Sequence, residues 1–229
     1  MSLAGKRIAI TGAFGSLGAA VVQAALKAGA QVAAIDRADA PPAGVDLGGA
    51  KRFGGVDLAD TAQAQSAIDA AAKALGGLDA LVNIAGTFRF ETLADGSPDT
   101  WDLLYRINLR TAVAASKAAL SHLPDDGRIV NIGAASAFKG NAGVAAYAAS
   151  KSGVMRFTES LAEELKERGI TVNAVLPSII DTPPNRKDMP KANFDKWVKP
   201  AQLADVIVFL LSDQASAITG ALIPVTGRV

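Results

Sequence analysis

Short aliphatic runs alternate along this chain with longer alanine-rich runs whose apolar residues recur every three or four positions. Arg7–Thr11, Gln31–Asp36, Arg52–Gly54, Ala80–Ile84, Arg128–Ile132, Thr171–Leu176 and Ala221–Pro224 read as strands. Ser16–Lys27, Thr61–Leu75, Trp101–Ser121, Val144–Arg168 and Pro200–Leu211 read as helices. In Val144–Arg168 the residues Val154, Phe157, Leu161 and Leu165 form one apolar face, with Glu159, Glu163, Lys166 and Glu167 mostly away from it. Gly169 then supplies a natural helix stop. Strands that are apolar on both faces and separated by helices predict a parallel sheet covered on both sides. Right-handed crossovers make it an α/β, Rossmann-type, doubly wound sheet of about seven strands.

Two segments break this rhythm. Ala38–Gly49 is rich in Pro and Gly and reads as an exposed loop. Pro177–Pro200 holds five of the ten prolines and is too short for a domain. It follows the sixth strand, so it falls at the edge of the sheet where ligands bind in this architecture, and it reads as a substrate lid. With 229 residues, the pattern predicts a single domain carrying that lid.

Composition narrows the chemistry. Net charge is +1, and Lys and Arg are spread along the chain, which argues against nucleic acid or an anionic membrane as partner. No apolar stretch is long enough to span a bilayer, and no signal-peptide core precedes the first strand, so a cytoplasmic location is expected. There is no cysteine, which excludes disulfides, zinc-thiolate sites and Cys nucleophiles. His122 is the only histidine, so multi-His metal sites are not expected; following a helix, it reads as a surface residue. No metal site is expected.

The first strand runs into Thr11-Gly-Ala-Phe-Gly-Ser-Leu-Gly18, and a helix follows. Gly12, Gly15 and Gly18 let the backbone approach a phosphate, and Ser16 and Leu17 open the helix whose unpaired N–H groups would receive it. Asp36, eighteen residues past Gly18, closes the second strand. Its carboxylate would accept from both adenosine ribose hydroxyls and repel a 2′-phosphate, which favours NAD(H). Arg37 argues the other way, since a guanidinium pairs with such a phosphate, so NADP(H) stays open. Tyr147 and Lys151, one turn apart on a single helix, would share a proton relay. A free phenol has a pKa near ~10, and a nearby ammonium favours its phenolate. Lys151 can also hold the nicotinamide ribose.

These residues resemble the short-chain dehydrogenase/reductase superfamily over nearly the whole chain. The resemblance implies that Asp57 and Leu58 of Gly55-Val-Asp-Leu58 meet the adenine. It implies that Asn83, Ala85 and Gly86 lie along the cofactor, with Ile84 replacing the family's second Asn. Asn108 would hold a water in the relay, and Pro177, Ile180 and Thr182 would border the nicotinamide carboxamide. The glycine turn, the stretch Gly133–Gly140 and the lid, with Phe194 and Trp197 as anchors, look similar to the dihydropteridine reductase branch. Most relatives carry a catalytic serine thirteen residues before the tyrosine; here that position is Ala134. Ser136 substitutes if the loop bends differently; otherwise it is an ordinary loop serine. Phe88 reads either as a wall for a planar substrate or as a core aromatic, and Arg186 and Lys187 either meet an anionic substrate or form a solvated face. The resemblance further implies a homodimer or homotetramer built on Trp101–Ser121 and Val144–Arg168. The expected activity is hydride transfer between nicotinamide and a small carbonyl, alcohol or quinonoid substrate. The alternative is a catalytically silent NAD(H)-binding sensor or scaffold.

Overall fold

The computed structural model covers Met1–Val229. Its strands are β1 (Arg7–Thr11), β2 (Gln31–Ile35), β3 (Lys51–Phe53), β4 (Ala80–Asn83), β5 (Arg128–Ile132), β6 (Thr171–Pro177) and β7 (Leu222–Val225). They form one parallel seven-stranded sheet in the order β3-β2-β1-β4-β5-β6-β7. The chain winds outward from β1 in one direction and from β4 in the other. The crevice between the carboxyl ends of β1 and β4 is therefore the switch point where such sheets bind ligands.

Alternation along each strand builds two cores. Ile8, Ile10, Val82, Val130 and Ile132 point to the face covered by α1 (Ser16–Lys27) and α7 (Pro200–Leu211). Ala9, Leu81 and Ile129 point to the other face, under α2 (Thr61–Leu75), α4 (Thr111–Ala119) and α5 (Ala145–Leu165). The period of two places neighbours on opposite faces, so the central strands are mostly apolar on both, with buried Thr11, Asn83, Asn131 and Asn173 as polar exceptions. On α5, Val154, Leu161 and Leu165 are buried and Phe157 is half-buried, as the spacing predicts.

The differences from the sequence reading are local. The predicted helix Trp101–Ser121 begins earlier, as α3 (Pro98–Leu104), where Ser97 accepts from the Asp99 N–H and Pro98 opens the first turn. It then widens into a π-helical segment, Tyr105–Arg110, before continuing as α4. Ala38–Gly49 is exposed for the most part, but Leu47 is fully buried and anchors it on α1's core. The lid contains a short helix, α6 (Pro183–Asp188), capped by Thr182, and a 3-10 turn at Phe194–Lys196. Proline-rich composition concealed α6, because prolines at the first helical positions suit a helix start as well as a loop. Strand ends shift by a single residue, where side-chain patterns do not define the last backbone bond.

At the opposite edge of the sheet, Arg7 grips Asp79 with two side-chain hydrogen bonds, Nε to Oδ2 at 2.8 Å and Nη2 to Oδ1 at 2.7 Å. Hydrogen bonding by Arg7 holds the Asp79 carboxyl below the usual carboxylate range. That contribution is present above the unfolded carboxylate pKa of about 3.9 and disappears as pH falls through the lower folded value. Asp79→Asn is expected to lower the unfolding free energy by about 1 kcal/mol at pH 7. Urea midpoints should show a constant deficit down to about pH 5 that closes only below about pH 4; a deficit already closing near neutrality would contradict the assignment.

Candidate active site

The cofactor cradle forms where the turn after β1 meets the segment after β4. Gly12 has φ +63, and a Cβ placed there would lie 2.7 Å from the Ala85 nitrogen. Thr11 stitches the two segments together: its Oγ1 accepts from the N–H groups of Ile84 (3.1 Å) and Ala85 (3.3 Å). Gly18 serves packing, since a Cβ there would overlap the Gly12 carbonyl. Gly15 differs: a Cβ there would find only the Gly12 oxygen, at 3.5 Å, so open space lies before it. Gly15 is also the N-cap of α1 and offers no side-chain acceptor, which leaves the first-turn N–H groups of Ser16, Leu17 and Gly18 to a ligand. The cradle therefore fits a dinucleotide pyrophosphate.

Asp36 stands at the rim of this cradle. Its carboxylate accepts from the Phe14 N–H at 2.9 Å and the Ala38 N–H at 3.0 Å. Arg37 beside it is exposed and has no carboxylate partner. Asp57 accepts from the Ala59 N–H and is gripped by Arg106 at 2.6 Å, while Arg110 donates to the Ala59 carbonyl at 2.8 Å. Two arginines of the π segment thus clasp the expected adenine loop, a brace absent from the sequence reading. Leu58 is buried in that loop and packs inward. Asn83 is buried too; its amide donates to Ser116 Oγ (3.0 Å) and Asn131 Oδ1 (2.9 Å), tying β4 to α4 and β5.

Tyr147 and Lys151 lie in the first two turns of α5. Lys151 is buried and donates to the Ile132 carbonyl at 2.7 Å. Burial pushes its pKa down to about 8. Burial likewise pushes the Tyr147 phenol up to about 12. The expectation that Lys151 holds Tyr147 toward phenolate is corrected here: the ammonium is directed at a backbone carbonyl, and desolvation dominates both groups. At neutral pH the phenol keeps its proton. Asn108 sits buried in the π segment, a widening that often marks functional positions. Its Oδ1 accepts from the Thr87 N–H (2.7 Å) and its Nδ2 donates to Ser150 Oγ (2.9 Å). Ser150 in turn donates to the Tyr147 carbonyl at 2.8 Å. The Asn108 amide is thus a brace between the β4 loop and α5. Gly86 marks where these groups converge. A Cβ there would lie 3.0 Å from Asn108 Oδ1 and 3.3 Å from Lys151 Nζ.

Ala134 is buried, extending from the end of β5. Ser136 follows in a 3-10 turn, Ala135–Ala137, and is exposed, with its hydroxyl making no bond to Tyr147. Ser152 Oγ holds this turn on α5 by donating to the Ala137 carbonyl at 3.0 Å. Phe88 is half exposed and sets its edge on the Tyr147 ring, 4.9 Å between centroids, so it is no core residue. Pro177, Ile180 and Thr182 lead from β6 into the lid; Ile180 pairs with Val198, and Thr182 spends its hydroxyl capping α6. Trp197 is buried and packs against Phe194 at a tilt of 55°, 4.8 Å between ring centroids. Arg186 lies over Phe194 and forms a two-point ion pair with Asp181, so it is committed within the lid. His122 pairs with Asp69 at 2.6 Å, away from these groups. Ser150, Arg106 and Arg110 are the functional neighbours missed from the sequence. Ser150 alone had a signal, its place beside Lys151.

Gly18→Ala should lower the unfolding free energy by about 1–3 kcal/mol, since neither backbone can yield. Gly15→Ala should melt like the parent yet bind NADH more weakly in a fluorescence titration; equal affinity would remove the phosphate role. For Lys151, burial disfavours the charged form in the fold, so its folding penalty is complete below pH 8 and vanishes as pH rises toward the unfolded value near ~10.4. Lys151→Met should therefore gain up to about 3 kcal/mol at pH 7, with the gain shrinking between pH 8 and 10.5. Thermal melts across that range check this, and a variant less stable at pH 7 would contradict it.

Comparison with known proteins agrees with the geometry. A family model described as enoyl-(acyl carrier protein) reductase matches residues 12–227. The chain is 35% identical over 241 residues to 2-(S)-hydroxypropyl-CoM dehydrogenase 3 of Xanthobacter autotrophicus, covering 96% of this chain and 94% of the relative. It is 33% identical over 244 residues to the 3-oxoacyl-(acyl-carrier-protein) reductase of Vibrio cholerae, covering 99% and 98%. A short-chain dehydrogenase from Burkholderia cenocepacia, solved with NADP, superposes with a TM-score of 0.86 at 34% identity, over 99% of this chain and 98% of the other. The 3-ketoacyl-(acyl-carrier-protein) reductase of Brucella melitensis, solved with NADH, superposes with a TM-score of 0.86 at 29% identity, over 99% of each chain. None of these likenesses separates the dihydropteridine branch from the rest. The glycine cradle, the Tyr147–Lys151 pair and the sheet order take their place within this kinship: the chain belongs to the short-chain dehydrogenase/reductase superfamily and is an NAD(P)-dependent oxidoreductase.

Proposed function

We propose that this protein is an NAD(H)-dependent reductase of a reactive, conjugated carbonyl or quinonoid substrate. One observation carries the reading: the proton donor is intact and the second hydroxyl beside it is missing. Tyr147 keeps its proton through burial and would deliver it to the substrate oxygen. Lys151, near Gly86, would hold the ribose. The bound dinucleotide supplies the hydride. Gly12, Gly15, Ser16, Leu17 and Gly18 would hold its pyrophosphate, and Asp57 and Leu58 its adenine side. Pro177, Ile180 and Thr182 would border its nicotinamide.

Asp36 supports NAD(H): backbone N–H groups hold it in place as an acceptor, and a 2′-phosphate would meet its charge. Arg37, with no carboxylate partner, keeps NADP(H) as the second cofactor, and relatives solved with NADP and with NADH support both. Losing one donor to a developing oxyanion costs ~3 kcal/mol, a loss that a simple ketone feels more than a quinonoid ring does. The lid and turn residues similar to dihydropteridine reductases support the same direction. The relatives named for 3-oxoacyl reduction favour a second reading, a carbonyl reductase that recruits Ser136.

No helix is long and apolar enough to cross a membrane, in keeping with a cytoplasmic enzyme acting on a small molecule. Trp101, Tyr105 and Val113 are exposed along α3, the π segment and α4, which supports pairing of this face in a homodimer or homotetramer.

The deciding measurement is NADH and NADPH oxidation with quinonoid dihydropterin, other quinones and 3-oxo esters, for the parent, Tyr147→Phe, Ala134→Ser and Ser136→Ala. Quinonoid turnover with NADH should fall at least about 100-fold in Tyr147→Phe and survive in Ser136→Ala. Turnover of 3-oxo esters alone, lost in Ser136→Ala, would establish the carbonyl reductase instead. Cofactor binding with no turnover of any acceptor would leave the silent sensor or scaffold.

A further inference from the structure

Three phenylalanines stand exposed on this protein: Phe88 at 50%, Phe90 at 68% and Phe138 at 56%. The other five of the eight are buried or half-buried. All three exposed rings lie on the two loops that leave the carboxyl ends of β4 and β5, the loops that flank the start of α5 and Tyr147. Rings left in water on two loops at the carboxyl end of the sheet, in a fold that at least half-buries its other phenylalanines, mark a surface built to be covered.

The rim is held in position. Glu91 N–H donates to the Gly143 carbonyl at 2.8 Å, and Gly143, with φ +76, lets the Phe90 ring lie against its backbone where any side chain would collide. Ser152 holds the Phe138 loop on α5 through the Ala137 carbonyl. Phe88 touches the Tyr147 ring edge-on, at an interplanar angle of 77°. Its exposed half therefore borders the space in which a reacting oxygen must sit to receive the phenolic proton. Ala134 adds a methyl group where a hydroxyl would have offered a second polar hold.

We infer that Phe88 and Phe138 are specificity-determining residues that select flat, conjugated carbonyl compounds, such as aryl ketones and ortho-quinones, over flexible saturated chains. A flat ring gains by stacking on rigid aromatic walls and orders few torsions in doing so; a flexible chain gains less and must be ordered. This rests on the reductase reading above and names the shape of its substrate.

The test is the ratio of kcat/KM for phenanthrenequinone to that for ethyl acetoacetate, with NADH, in the parent, Phe88→Leu and Phe138→Leu. Leucine keeps an apolar side chain and removes the flat face. The ratio is expected to exceed one in the parent and to fall at least about fivefold in each variant, with NADH affinity measured alongside by fluorescence. Phe138→Leu decides alone if Phe88→Leu fails to fold. A ratio within about twofold of the parent in a folded variant overturns the inference while leaving the reductase intact. A parent that turns over neither compound, nor any other acceptor, overturns the reductase reading and this inference with it.

Discussion

The site depends on one close approach, the backbone of the turn after β1 against the backbone after β4. Thr11 Oγ1 receives both the Ile84 and Ala85 N–H groups, and Gly12 has no side chain to hold the strands apart. That contact closes the floor of the switch-point crevice. It sets the glycine turn on one side and, through Gly86 and Thr87, the Asn108, Tyr147 and Lys151 cluster on the other. Thr87 N–H reaches Asn108, Asn108 reaches Ser150, and Ser150 reaches the Tyr147 backbone. The glycine turn after β1 and the first turn of α5, which carries Tyr147, are thereby parts of one hydrogen-bonded frame.

Desolvation is the second constraint, and it acts on two residues in opposite directions. It drives the Tyr147 phenol to about 12 and the Lys151 ammonium to about 8. Both shifts disfavour charge, so burial sets the resting state as a neutral acid beside a destabilised cation. Burying a cation costs stability where its hydrogen bonds do not replace the lost hydration. Such a cost is common where a site must hold a group ready for chemistry. Phe88 meets the Tyr147 ring beside this buried pair, in a T-shaped contact with 4.9 Å between centroids.

The π segment Tyr105–Arg110 shows how much of the site is built from irregularity. It carries Asn108 inward toward α5 while Arg106 and Arg110 clasp the loop of Asp57 and Ala59. A regular helix with the same sequence would distribute these three side chains at different angles. The extra residue in the turn places an amide against α5 and two guanidinium groups on the Asp57–Ala59 loop from one short stretch.

The sequence by itself determined the sheet, its two-faced burial, the glycine cradle and the Tyr147–Lys151 pair. Those features arise from local rules: the period of two in Ile8-Ala9-Ile10, the period near 3.6 in Val154 to Leu165, and glycines wherever backbones touch. Only the tertiary structure decided the direction of the Lys151 ammonium, the resting protonation of Tyr147, the π widening around Asn108, the committed ion pair of Arg186 and the exposure of Phe88. Each of these depends on what lies beside a residue after the chain has folded, and on how much water that neighbour removes. Linear spacing specifies which face a side chain shares, but burial and long-range partners set its charge and its contacts.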